Sequence, residues 1–95
     1  MPELYGILFR VQQDKKIRCI HNEFHIVMYL YENGPASASQ LEKITLRSPA
    51  GHRNDVSRLV GKEVLEVMPS IRDRRLRMYD LTDKIRRYIS DVIKN

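Results

Sequence analysis

Apolar positions recur along this chain at two spacings, and Gly, Pro, Ser and Asn divide them into short elements. In residues 3–18, Leu4, Ile7, Leu8 and Val11 fall at helical spacing, and Gln12 to Lys16 are good helix formers. Ile7, Phe9 and Val11 also alternate with Ile17 and Cys19 across a polar stretch, which is a hairpin pattern. Helix is the favoured reading. A second helix is predicted from Asn22, a good N-cap, with Glu23 at the positive end of the helix dipole. Phe24, Val27, Met28 and Tyr31 form one face, widened by Ile26 and Leu30, so this helix is expected to be mostly buried. Asn33-Gly34-Pro35 ends it, because Gly34 can take the left-handed position and Pro35 cannot continue the helix.

Two overlapping capping boxes, Ser37 with Gln40 and Ser39 with Glu42, predict the start of a third, shorter helix. Leu41 and Ile44 give it a narrow apolar edge, and it ends near Thr45. After a break at Leu46-Arg47-Ser48, Ser48-Pro49 marks a further start: serine caps the free N–H groups, and proline at the first position loses nothing by lacking one. Val56, Leu59 and Val60 make the core stripe of this helix. Arg53, Asn54, Ser57 and Arg58 project the other way, and Gly61 is a plausible stop. Val64 to Met68 reads as a strand, Pro69 to Arg75 as a basic turn, and Leu76 to Leu81 as the returning strand. Thr82 caps a last helix with Ile85, Tyr88, Ile89, Val92 and Ile93 on one stripe and Arg86, Arg87, Ser90, Asp91 and Lys94 opposite.

This order predicts one mainly α domain with a small β-hairpin, an α+β winged helix-turn-helix. Residues 1–21 are expected to form an N-terminal helix used for dimerisation, residues 22–81 the winged core, and residues 82–95 a C-terminal helix also used for dimerisation. The length, 95 residues, suits one domain, and 42 % hydrophobic residues argue against disorder. A core this small leaves room for support from a partner or a second copy. The formal charge of +5 is unevenly placed. Residues 47–77 hold eight basic and four acidic side chains, whereas residues 1–46 are balanced. One continuous stretch therefore carries most of the excess, as a phosphate-binding surface would. A solvated basic face without a partner has the same charge.

A helix that reads the major groove must bury one stripe and expose hydrogen-bond donors on the other. Arginine bonds guanine bidentately, asparagine bonds adenine, and serine adapts to either. Arg53, Asn54, Ser57 and Arg58 supply these groups, with Arg47 and Ser48 at the helix start, where backbone N–H groups also hold phosphate. Arg72, Arg74 and Arg75 at the hairpin tip suit a phosphate strand or a narrow minor groove. Asp73 is expected to turn inward and orient Arg75.

With these residues in view, the sequence resembles the MarR-type winged-helix regulators over residues 22–85. The resemblance rests on Val56-Ser57-Arg58-Leu59-Val60 and on Asp73-Arg74-Arg75 followed by Leu81-Thr82. Ile85 stands where the family often has glycine, and the interval from residue 60 to the wing is about one helical turn short. The single cysteine, Cys19, cannot form an internal disulfide and fits a reducing cytosol, so a cytoplasmic, nucleoid-associated protein is expected. The resemblance implies a transcriptional regulator. It would act as a homodimer on pseudo-palindromic double-stranded DNA, without a cofactor, and with a small-molecule effector left undefined. The rival readings are a winged-helix protein-interaction module and a nucleic-acid binder without sequence preference.

Other chemistry is weakly represented. His21 and His25, four apart and near Cys19, have helical metal-ligand spacing, but no second His–Cys cluster completes a site. Polar surface or junction histidines are the plainer expectation. Cys19, beside Lys16 and Arg18, could be a redox sensor or simply a small apolar residue at a junction. No catalytic triad order, phosphate loop or carboxylate pair is present, so an enzyme is not expected. No apolar run is long enough to span a membrane, and no signal peptide is read at the N-terminus. The last helix lacks the Trp and Phe of a membrane-surface helix.

Overall fold

Ser37 and Gln40 close the first of the two possible capping boxes. Ser37 Oγ accepts from the Gln40 N–H, and Gln40 Oε1 accepts from the Ser37 N–H. Ser48 Oγ likewise accepts from the Gly51 N–H, with Pro49 in the first helical turn. A computed structural model describes residues 2–18, 20–69 and 76–94. Its elements are α1 (Pro2–Lys15), α2 (Asn22–Asn33), β1 (Ala36–Ser37), α3 (Ala38–Ile44), α4 (Pro49–Gly61), β2 (Leu65–Pro69), β3 (Arg77–Leu81) and α5 (Asp83–Lys94). The N-terminal segment is therefore helical, not a hairpin.

The sheet has three strands rather than two. Its order is β1-β3-β2, all antiparallel, with Ala36 opposite Tyr79 and Val67 also opposite Tyr79 from the other side. Gly34 turns the chain from α2 into β1 at φ +80°, a value that costs glycine little. The main core joins α2, α3, α4 and the sheet through Ile26, Leu30, Leu41, Val56, Leu59, Leu65 and Leu81. Burying each such side chain stabilises the fold by about 1.5–3 kcal/mol. A second cluster, Tyr5, Ile20 and Met28 with Leu8 and Phe9, fastens α1 to α2.

Several sequence expectations change here. Asn22 is the first residue of α2, and His21 holds the cap position without a side-chain cap. Phe24 is 45 % exposed. The buried side of α2 includes Asn22, His25, Ile26, Met28 and Leu30. Gly61 is the last helical residue of α4, not its stop. The chain leaves the helix at Glu63, which takes φ +61° while its N–H and that of Val64 reach back to Val60 and Leu59. Arg86 is half-buried instead of facing solvent: it donates to Asp80 Oδ1 at 2.7 Å and to the Tyr31 carbonyl at 3.3 Å. Its guanidinium carbon lies 5.9 Å from the centre of the Tyr31 ring. Within the α5 stripe Ile85, Ile89 and Ile93 are half-buried, while Tyr88 and Val92 stay exposed. No helix among the described residues is long and apolar enough to cross a membrane.

His25 is a core residue, not a surface or junction one, and is 1 % exposed. Gln12 accepts the Ile20 N–H through Oε1, so its Nε2 faces His25 Nδ1 at 3.2 Å as donor. That geometry assigns the imidazole proton to Nε2, which is buried without a partner among the described residues. Burial pushes the His25 pKa down to about 4 from its usual value of 6.5. The unfolded chain therefore takes up this proton near pH 6.5, and the folded one only near pH 4. Stability from this group is intact above pH 6.5 and is lost as the pH falls toward 4, by about 3 kcal/mol. Urea unfolding at pH 7, 5.5 and 4.5 should show this loss, and His25→Gln should flatten it. His52, also lowered by burial, leaves a residual slope in the same direction.

Candidate nucleic-acid interface

The turn between α3 and α4 is built around one buried amide. Asn22, 5 % exposed on α2, accepts the Thr45 hydroxyl at 2.6 Å and donates to Asp55 Oδ2 at 2.9 Å. Its other Nδ2 hydrogen faces His52 Nδ1 at 3.1 Å. Thr45 Oγ1 in turn accepts the Arg47 N–H at 3.0 Å. Because an amide nitrogen only donates, His52 Nδ1 is the acceptor and its proton sits on Nε2. Burial holds the His52 pKa below its usual value, against the opposing fields of Glu42 and Asp55. A single side chain thus ties α2 to the turn and to the inner face of α4.

Asp55 is the second anchor. It is 3 % exposed, and its Oδ2 lies 2.7 Å from Arg47 Nε. The Nε–H direction is off the oxygen, so the contact is an ion pair rather than an aligned hydrogen bond. The Arg47 side chain lies across Gly51: a Cβ there would sit 2.8 Å from Arg47 Nε. Glycine at this position leaves space for Arg47 to reach Asp55. Arg58, one turn later, pairs with Glu23 at the start of α2 and lies 3.7 Å from Asp55 Oδ1.

With its inner face held this way, α4 exposes Arg53, Asn54, Ser57 and Arg58. The side chains of Arg53, Asn54 and Ser57 make no hydrogen bond or ion pair among the described residues. Ser48 is exposed at the helix start but commits its hydroxyl to the cap. Arg47 and Arg58 reach the same surface while bound to Asp55 and Glu23. A cleft beside α4, lined by Glu42, His52, Arg53, Ser57, Arg77 and Tyr79, brings the start of β3 alongside the exposed helix face. The expected wing residues Arg72, Asp73, Arg74 and Arg75 lie outside the described residues, as does Cys19. In the sequence, residues 70–75 fall between β2 and β3. His21 stands exposed at the α2 cap, and His25 Nδ1 is committed to Gln12.

Sequence reasoning overlooked Asn22, His52 and Asp55. The signal was present: His52, Asp55, Val56 and Leu59 are spaced i, i+3, i+4 and i+7, one helical face. Polar identity hid two members of that stripe.

Helix, turn and second helix over a three-stranded sheet with a projecting ribbon define a winged helix-turn-helix protein. No protein-family model matches the chain, and no curated protein matches it. Solved structures do match, and they are MarR-type transcriptional regulators. A transcriptional regulator from Thermotoga maritima is 25 % identical, with a TM-score of 0.69 over 97 % of this chain and 64 % of its own. Bordetella bronchiseptica BpsR, solved in a study of how 6-hydroxynicotinic acid regulates its DNA binding, is 22 % identical, with a TM-score of 0.66 over 97 % of this chain and 65 % of its own. The adhesin competence repressor of Streptococcus pyogenes is 20 % identical, with a TM-score of 0.65 over 97 % of this chain and 66 % of its own. The chain thus spans about two thirds of the length of these regulators. It shares their winged-helix fold.

Proposed function

We propose that this protein is a sequence-specific regulator of transcription that binds double-stranded DNA as a homodimer on a pseudo-palindromic site. The observation that carries this reading is the division of α4. Its inner face is locked by Asn22 and Asp55, while Arg53, Asn54 and Ser57 stand exposed without partners among the described residues. A donor-rich helix face, rigidly backed, is what base-edge recognition needs. Arg47 and Arg58 would serve the flanking phosphates, and Arg72, Arg74 and Arg75, which lie in the sequence between β2 and β3, would add further phosphate contacts. The fold shared with known transcriptional regulators supports the same assignment.

The subunit contact falls to α1 and α5. Leu4, Ile7 and Val11 on α1 are 54 %, 61 % and 36 % exposed, and Tyr88 and Val92 on α5 are 66 % and 49 % exposed. These exposed apolar side chains on α1 and α5 are the face we assign to that contact. Two-fold pairing would set the α4 helices one DNA turn apart, about 34–36 Å.

Selection of duplexes from a random pool, with protein mass measured in the same buffer, tests the whole proposal. An enriched inverted repeat bound by a dimer is expected; an unenriched pool overturns sequence specificity. On the selected duplex, Arg53→Ala should weaken binding by about 1–3 kcal/mol, roughly 5–150-fold, with unchanged melting. Binding equal to that of the parent protein would remove Arg53 from the reading face.

A further inference from the structure

On the side of α4 away from the ribbon, a small polar cleft is lined by Arg18, His21, Asn22, Arg47, Asp55 and Arg58. Its three arginines come from three separate stretches of chain: the segment before α2, the turn before α4, and α4 itself. Like charges converge this way at a cost in mutual repulsion, and here only part of that charge is neutralised internally. Asp55 takes Arg47 through Nε, and Glu23 takes Arg58 through Nη1. The Arg18 side chain has no hydrogen-bond or ion-pair partner among the described residues, and the terminal amino groups of Arg47, which is paired with Asp55, make no hydrogen bond among them. The cleft therefore keeps a net positive charge and several unused donors. The α2 N-terminus beside it has no side-chain cap, which adds to the same field.

We infer that this cleft is a phosphate site, with Arg18 as a binding residue acting together with Arg47 and Arg58. A planar carboxylate saturates one guanidinium fork, whereas a tetrahedral phosphate presents oxygens to several donors approaching from different directions. Three arginines from different sides match the second geometry. Asp55 does not oppose the phosphate. It is buried, already paired, and turned to Arg47 and Asn22, and it fixes the guanidinium that the phosphate meets. The Glu23–Arg58 pair is the exchangeable part, since a phosphate arriving in the cleft competes with that carboxylate for Arg58. Two sources carry this chemistry: a backbone phosphodiester of duplex DNA, and free inorganic phosphate. The first rests on the DNA-binding reading above. It would place one strand of the duplex over the start of α2, the helix that precedes the helix-turn-helix pair α3 and α4.

The test uses the full chain and Arg18→Ala. Arg18 is exposed and has no partner among the described residues, so melting is expected to be unchanged. Duplex binding is titrated by anisotropy across salt, and inorganic phosphate is titrated without DNA while the arginine side-chain NMR signals are followed. If the source is DNA, Arg18→Ala weakens selected and random duplexes equally, about tenfold, and lowers the salt slope by about 1. If the source is free phosphate, the phosphate titration saturates at Arg18 and Arg47 and disappears in Arg18→Ala, while duplex binding is unchanged. Unchanged duplex binding with no Arg18-dependent phosphate signal overturns the site and leaves the DNA-binding reading standing. Saturable phosphate binding in a protein that binds no duplex does the reverse.

Discussion

Raising the salt from 50 to 200 mM should weaken duplex binding by about 10³–10⁵-fold, as expected when roughly 6–10 phosphates are neutralised. Five arginines per chain are proposed for phosphate contacts, Arg47 and Arg58 beside the exposed face of α4 and Arg72, Arg74 and Arg75 in the sequence between β2 and β3, so the proposed dimer would offer ten, the upper end of that range. Condensed counterions leave the duplex as these side chains replace them, so affinity must fall steeply as bulk salt rises. Anisotropy titrations at four salt concentrations give the slope directly. A flat dependence would remove the phosphate contacts from the interface, and with them the electrostatic part of the proposal. Equal affinity for random and selected duplexes, on the same steep slope, would keep the phosphate contacts but discard base reading by Arg53 and Asn54.

The second large effect concerns stability. Asp55→Ala should cost about 3 kcal/mol, the lower end of the penalty for breaking a buried ion pair, because the Arg47 side chain remains 34 % exposed. The substitution leaves an Asn22 N–H without its acceptor and frees Arg47 from the inner face of α4. Against a total of about 5–15 kcal/mol for a typical domain, this is a major loss. The urea midpoint should fall sharply, and DNA affinity should fall with it as α4 loses its fixed orientation. A change below about 1 kcal/mol would show that Asp55 does not anchor the helix. Asp55→Asn preserves the shape but lacks the charge, and so separates loss of packing from loss of the ion pair.

Much of this architecture is legible in the sequence because local chemistry and tertiary need coincide. Ser37 with Gln40, Ser48 with Pro49, and Gly34 with Pro35 each satisfy or end a helix by themselves, and each acts where it stands. The missed features depend on distant partners. The strand Ala36–Ser37 is too short to show any period and exists only because it pairs with Met78 and Tyr79. Arg86 reads as a solvent-facing cation, yet Asp80 and the Tyr31 ring and carbonyl hold it half-buried. His25 reads as a surface or junction residue, but its ring meets Phe9 edge-on at 4.8 Å between α1 and α2. The candidate site divides the same way. Arg53, Asn54 and Ser57 follow from helical phase alone. The service of Arg47 and Arg58 to internal carboxylates requires knowing that Asp55 turns inward and that α2 begins beside them.

The bonds that seat α5 determine how strain passes through the molecule. Arg86 reaches the Tyr31 carbonyl, and the Tyr31 hydroxyl lies 2.9 Å from Ser90 Oγ, so the last helix is riveted to the far end of α2. The opposite end of α2 carries Asn22, which grips the turn into α4. Under the DNA-binding proposal, a torque applied at the outer surface of α5 would pass along α2 to the turn before α4. In the proposed dimer, the spacing of the two α4 helices would then follow from how the subunits meet.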